Sequence, residues 1–308
     1  MVSMGEGRTL PTAALAFDSR CTLGESIVWC ARERVLWWTD IKGRRIWRGS
    51  PEAGSTQWWS TPGRVGSLAL CESGRLLLGM EDALYFVDPT RHAAGTGLSC
   101  EHLADVPMEG TAMRINDGRL DRSGNFVFGC INEDPAHART ARFHQYSLGQ
   151  GLRALDIAPV AIANGIGFDP DGQGMYYCDS LQRSIMHARY DAATATITDA
   201  RLFALIAGDA EPDGAAVDAE GRVWGAQWGA GQVVRYSAAG EVELRVPVPA
   251  SQPTCVAFAG DDLGTLYVTS ARDGLDAAAL HALPASGGVF RAALEGVRGL
   301  PEPRFADA

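Results

Sequence analysis

The chain is 308 residues long, with 46% hydrophobic and 21% charged residues and 25 aromatics (10 Phe, 7 Tyr, 8 Trp), a globular composition that argues against disorder. Its 27 Lys plus Arg against 37 Asp plus Glu give a net charge of −10, and the basic residues are scattered, which argues against nucleic acid or an anionic membrane as partner. No apolar run approaches the ~20 residues of a spanning helix, so no membrane segment is expected.

The first residues, MVSMGEGRTLPTAALAFDSRC, show no basic start followed by an apolar stretch and a cleavage site. A cytoplasmic location and a flexible tail over 1–11 are therefore expected. After one isolated strand, TAALAFDS (12–19), a pattern recurs: an apolar strand, a turn and a second apolar strand ending in a small or acidic residue. The copies are SIVWCARERVLWWTD (26–40), SLALCESGRLLLGM (67–80), DGRLDRSGNFVFGC (117–130), GIGFDPDGQGMYYCD (165–179), GAAVDAEGRVWGAQ (214–227) and CVAFAGDDLGTLYVTS (255–270). Their second strands begin near Leu36, Leu76, Phe126, Met175, Val223 and Leu266, in steps of 40, 50, 49, 48 and 43 residues. That is the period of a four-stranded propeller blade.

Each copy is followed by a further alternating strand and turn signals, as in RRIWRGSPEAG, ARFHQYSLGQG and GQVVRYSAAGEVE. The expected fold is therefore all-β: one six-bladed β-propeller over 1–308, with four-stranded antiparallel blades around a central channel. The strand at 12–19 would complete the last blade and close the ring. The one helix-like stretch, Leu275 to Leu283, is short. Seven cysteines without a CxxC pair are read as reduced and structural.

Innermost blade strands surround the channel, so residues just before them converge at one mouth. Counting five residues back from the turn residues Asp121, Asp169 and Asp218 gives Asn116, Asn164 and Asp213; the same count from Cys30 and Cys71 gives Glu25 and Gly66, and Thr254 is the sixth equivalent. Oxygen donors with two carboxylates and no sulfur suit a hard divalent cation such as Ca²⁺, Mg²⁺ or Mn²⁺, while Zn²⁺ and Fe²⁺ stay open. Asn164-Gly165 and Asp213-Gly214 are also good turn formers; Glu25, entering a strand in Gly24-Glu25-Ser26, fits that explanation less well. Arg114, two residues before Asn116, would reach the same mouth, either to grip a ligand or to form a buried salt bridge. GxSxG, HExxH and the phosphate-loop patterns are missing, and none of the six histidines falls in the ring.

LGESIVW (23–29), RINDGRLDRSGNFVFG (114–129), ANGIGFDPDGQGMYYCDS (163–180), PDGAAVDAEGRVWGA (212–226) and LYVTSARDGL (266–275) together resemble the successive blade motifs of the regucalcin/gluconolactonase family of sugar lactonases. The resemblance implies a propeller with one divalent metal held by Glu25, Asn164 and Asp213. It implies substrate contacts from Arg114 and Asn116, and from an acid in Asn132-Glu133-Asp134, where the choice between Glu133 and Asp134 is open. The family's GEGPxW is here Gly24-Glu25-Ser26-Ile27-Val28-Trp29, without the Gly and Pro after the ligand; Cys130 and Ile131 also depart from it, which puts specificity in question.

The expected activity is metal-dependent opening of a sugar 1,4- or 1,5-lactone in carbohydrate catabolism, with Asp213 as ligand and general base and Arg114 and Asn116 orienting the substrate. A small-molecule sugar lactone is the one partner implied. Two rivals stand beside it: a calcium-binding regulatory propeller without turnover, and a metal-dependent esterase or phosphotriesterase.

Overall fold

In the computed structural model, which describes residues 7–308, six sheets form the blades of a propeller. Blade one comprises Gly24–Cys30, Val35–Asp40, Arg45–Ser50 and Ser55–Ser60; blade two comprises Val65–Leu70, Leu76–Met80, Ala83–Val87 and Glu101–Asp105. Blade three runs Met113–Leu120, Phe126–Asn132, Phe143–Ser147 and Gly151–Ala154, and blade four Ala163–Phe168, Gly174–Asp179, Ser184–Asp191 and Thr196–Leu205. Blade five runs Glu211–Val217, Val223–Trp228, Gln232–Tyr236 and Val242–Pro247. Within each blade consecutive strands pair antiparallel, as the turn-separated apolar segments require.

Blade six takes Pro253–Ala259, Thr265–Ser270 and Val289–Ala293 from late in the chain and Ala14–Phe17 from its start. Ala14 pairs with Arg291 and Leu15 with Phe290, so an early strand closes the ring, as the spare strand at 12–19 predicts. Of the tail expected over 1–11, residues 1–6 lie outside the described residues. Arg8–Thr9 differs from that expectation: it pairs parallel with Val242–Pro247, and the Leu10 amide donates to Arg245 O at 2.7 Å. The edge of blade five supplies partners that a free tail lacks, and the added strand covers that edge.

The innermost strands are buried almost throughout rather than on alternate residues, because both faces pack on neighbouring blades. Gly24–Cys30 and Pro253–Ala259 are buried along their whole length. Phe17 and Trp47 both stack on Trp38, at 5.6 and 5.9 Å, and Phe17 thereby ties the closing strand to blade one. Hairpin turns are fixed by aspartates: Asp121 Oδ1 accepts from Ser123 N and Asn125 N, and Asp218 Oδ1 from Glu220 N and Arg222 N. Leu275 to Leu283 contains a short helix, Ala277–Ala282, capped by Asp276. All seven cysteines are free thiols, and among the described residues no helix is long and apolar enough to cross a membrane.

One irregularity recurs in all six blades. The pairing of the first two strands shifts register between Glu25 and Val28, Val65 and Ser67, Ile115 and Gly118, Asn164 and Gly167, Pro212 and Ala215, and Pro253 and Val256. A bulge turns side chains that would lie along the sheet toward a new direction. The equivalent residues Glu25, Gly66, Asn116, Asn164, Asp213 and Thr254 stand at these six bulges, at the channel mouth.

Candidate active site

The bulges of blades one, three, four and five place Glu25, Asn116, Asn164 and Asp213 on the wall of one cavity of about 350 Å³, together with Arg114 and Glu133. Glu25, Arg114, Asn116, Asn164 and Asp213 are all buried. Ser26 holds a left-handed backbone (φ 51°) just after Glu25, where a residue without a β-carbon is favoured. Its amide donates to Glu25 Oε2 at 3.1 Å and its hydroxyl accepts from Leu68 N at 2.9 Å, so the turn is held by blade two.

A hydrogen-bonded chain joins the remaining polar groups. Arg114 Nη1 donates to Asn116 Oδ1 at 2.7 Å and to Ile115 O at 3.0 Å; Asn116 Nδ2 donates to Asn164 Oδ1 at 3.1 Å and to Ala163 O at 3.0 Å. Asn164 Nδ2 donates to Ser180 Oγ at 2.9 Å, and that hydroxyl donates to Pro212 O at 2.8 Å, beside Asp213. The chain fixes the Asn164 amide with its oxygen toward Asn116 and one lone pair to spare. Asp213 Oδ1 is buried and has no hydrogen-bond partner among the described residues.

Burial is the main cause that pushes the Glu25 carboxyl up to about 8, and the charge of Asp117 adds to it. Burial, then Glu25 and Asp117, hold Asp213 well above the usual carboxylate range, and burial raises Asp117 too. Two converging buried carboxylates and an unsatisfied carboxylate oxygen call for a positive charge. The donor set of two carboxylates and one amide oxygen fits a hard divalent cation. Among the described residues no three His, Cys, Asp or Glu side chains gather as a ligand set.

The two acids left open by the sequence part company. Glu133 lies on the cavity wall, accepting from Arg114 Nε at 2.9 Å and from Arg64 Nη1 at 2.7 Å. Burial works to raise its carboxyl, but the two guanidinium groups outweigh that and hold it below its ordinary value. Asp134 is exposed and accepts from Ala136 N at 2.8 Å, shaping the turn outside the cavity. Gly66 adds no side chain: a β-carbon there would overlap Ile115 O. Thr254 bonds Gly24 O and Thr269 Oγ1, bracing blade six against the strand of Glu25.

Counting back from the turns misses Asp117, Ser180 and Arg64. Asp117 sits inside the RINDG segment, one residue past its ring position, and accepts from Ile166 N at 2.9 Å. Ser180 ends the YYCDS run, while nothing in the repeat marks Arg64.

The sequence and fold match known proteins along almost the whole chain. The family profile described as SMP-30/Gluconolactonase/LRE-like region matches residues 23–272. The chain belongs to this family. It is 41% identical over 297 residues to L-arabinolactonase of Azospirillum brasilense, covering 96% of this chain and 95% of that protein. It is 35% identical over 288 residues to 6-deoxy-6-sulfogluconolactonase of Pseudomonas putida, covering 92% and 95%. Its structure superposes with a TM-score of 0.89 on the calcium-binding protein regucalcin from Agrobacterium tumefaciens, at 29% identity, over 97% of this chain and 99% of that one.

Proposed function

We propose that this chain hydrolyses the internal ester of a sugar lactone to the open aldonic acid. The observation that carries the reading is the unpaired, buried Asp213 Oδ1 on the same cavity wall as Arg114, beside Glu25 and the Asn164 amide oxygen. Two of the relatives are named as lactonases, of L-arabinolactone and of a sulfogluconolactone, and this supports a sugar lactone as substrate.

Glu25, Asn164 and Asp213 would hold one divalent cation. Likeness to a calcium-binding relative supports a cation there, and Ca²⁺, Mn²⁺, Zn²⁺, Mg²⁺ and Fe²⁺ all suit the oxygen donors. Such an ion supplies Lewis acidity to a carbonyl oxygen or lowers the pKa of a water. Asp213 Oδ1, on the cavity wall and without a hydrogen-bond partner among the described residues, would be the carboxylate oxygen placed to take a proton from the attacking water and return it to the leaving ring oxygen.

Arg114 uses Nε and Nη1 on protein partners, while Nη2 has none among the described residues. Nη2 is thus the donor offered to a substrate oxygen as negative charge develops. Asn116 spends its amide on Arg114, Asn164 and Ala163. Its part is to hold the arginine and the Asn164 amide in fixed relation rather than to bind substrate with a free N–H.

The test is proton release from a panel of pentono- and hexonolactones, using chelator-stripped protein with Mn²⁺, Ca²⁺, Zn²⁺, Mg²⁺ or anaerobic Fe²⁺ returned singly. Turnover restored by an ion is expected. Folded, metal-loaded protein that leaves every lactone at its spontaneous rate overturns the reading.

A further inference from the structure

Of the 27 basic residues in the chain, Lys42 is the single lysine; the other 26 are arginines. It stands on the wall of the cavity that holds Glu25, Asn164 and Asp213. Its Nζ lies 2.6 Å from Asp273 Oδ2, and Asp273 lines the same cavity.

Both residues are presented from firmly held turns. Lys42 follows Asp40, whose Oδ1 accepts from Leu23 N and Gly43 N, each at 3.0 Å. Asp273 follows Arg272, whose amide donates to Thr22 O at 2.9 Å, and Gln252 Nε2 donates to Asp273 O at 3.2 Å. Both turns are therefore tied to the Thr22-Leu23 segment that leads into Glu25. Lys42 belongs to blade one and Asp273 to blade six, whereas Arg114 belongs to blade three. In a ring of six, blade three stands opposite blade six, so Arg114 and the ion pair approach the cavity from opposite sides.

The pair is not needed to hold the fold. The side chains are 42% and 31% exposed, and an ion pair so placed contributes little to stability. What it offers is a donor beside an acceptor. The ammonium has three N–H groups and spends one on Asp273, whose Oδ1 has no partner among the described residues. A hydroxyl, which donates and accepts at once, satisfies both. A sulfonate or carboxylate can only accept, and it meets the charge of Asp273. Arginine would fork across both carboxylate oxygens and leave no acceptor free.

We propose that Lys42 and Asp273 form the subsite for the far end of the substrate, and that their pairing selects a neutral lactone through its distal hydroxyls over one with an anionic tail. The selectivity for a lactone rests on the hydrolase reading above; the existence of a polyol subsite at Lys42 does not.

Two measurements test it on full-length, metal-loaded protein. In kinetics on a lactone panel that includes an aldarolactone with a distal carboxylate, Lys42→Met is expected to raise KM for neutral lactones about tenfold with a much smaller change in kcat. Lys42→Arg should not restore it. Asp273→Asn, which leaves the ammonium unneutralised, should shift the kcat/KM ratio toward the anionic lactone by about tenfold. Independently of turnover, the one lysine permits site-resolved labelling: trinitrobenzenesulfonate modification of Lys42, followed on its peptide by mass spectrometry, should slow when a neutral anhydroalditol or aldonolactone is added.

Unchanged KM in Lys42→Met on every lactone the wild type turns over, or a labelling rate indifferent to sugar, overturns the proposal. A wild type that turns over no lactone defeats the hydrolase reading, and labelling then decides the subsite alone.

Discussion

Arg114 and Glu133 meet across 2.9 Å on the wall of the cavity, and the second oxygen of that carboxylate is held by Arg64 of the neighbouring blade at 2.7 Å. Arg64 is in turn gripped by Glu81, with Nε 3.0 Å from Oε1. Four alternating charges thus run from blade two to the Arg114 guanidinium on the cavity wall. Glu133 touches Arg114 directly, so Glu133→Gln should cost about 10- to 100-fold in kcat/KM by releasing it. Arg64 acts one step further out, and Arg64→Met should cost less. Because both act through the same contact, the double variant should lose little more than Glu133→Gln alone. Losses that multiply in the cycle would show that Arg64 works by another route.

Removing the ion that Glu25, Asn164 and Asp213 are proposed to hold should expose the cost of burying two neighbouring carboxyls without a cation. Chelator-stripped protein should melt at a lower temperature than protein resupplied with the activating ion, in proportion to the logarithm of free metal. Asp213→Asn removes one of the two carboxyls that the metal-free fold must bury as a charge or neutralise by taking up a proton. It should make the stripped protein more stable than stripped wild type, by about 1–3 kcal/mol, while abolishing both turnover and the metal-dependent rise. Calorimetric melts of both proteins, with and without metal, check this. An Asp213→Asn protein that still gains stability from the ion would remove Asp213 from the ligand set.

The fold was legible because a strand pair and its turn return six times, and the ring of site positions because each inner strand carries its bulge at the same distance from the turn. That constancy brings Glu25, Asn116, Asn164 and Asp213 together although up to 188 positions separate them in the chain. Ser26 shows a departure from the family pattern and its physical setting: the family's glycine position has a left-handed backbone here, and serine bears that conformation while its hydroxyl bonds Leu68 N. Arg64 and Lys42 were not legible. Both stand in turns outside the repeated hairpin, Lys42 on the cavity wall and Arg64 behind Glu133, and their importance lies in partners 231 and 69 residues away. Glu133 and Asp134 could not be told apart by adjacency, since successive residues leaving a strand point to opposite sides.

Gly66 gives a prediction about backbone rather than charge. A β-carbon at this position would overlap Ile115 O and come within 2.7 Å of Asn116 O, the backbone that carries Arg114 and Asn116. Neither oxygen belongs to a flexible side chain, so the strands must move apart. Gly66→Ala should cost about 1–3 kcal/mol of stability. Its larger effect should fall on kcat/KM, because the Arg114–Asn116–Asn164 chain is displaced with the strand. Denaturant melts and lactone kinetics on the same preparation check it, and a variant with wild-type kinetics would mean that the two blades separate without disturbing the site.

His144 makes acid sensitivity testable far from the cavity chemistry. Its ring stacks on Phe128 at 5.4 Å, its Nδ1 has no hydrogen-bond partner among the described residues, and only 4% of the residue is exposed. Burial, with some help from Arg142, pushes its pKa down to about 4 from 6.5. The unfolded chain therefore takes up the proton first as pH falls. The neutral ring favours folding in full above about pH 6.5, and that advantage is lost as pH drops toward 4, by on the order of 3 kcal/mol. In His144→Phe the aromatic stack is kept and the titration is gone. The difference in stability between pH 7 and pH 4.5, from urea melts, should shrink by most of that amount relative to wild type. Equal pH dependence in the two proteins would show that the buried imidazole is protonated without cost.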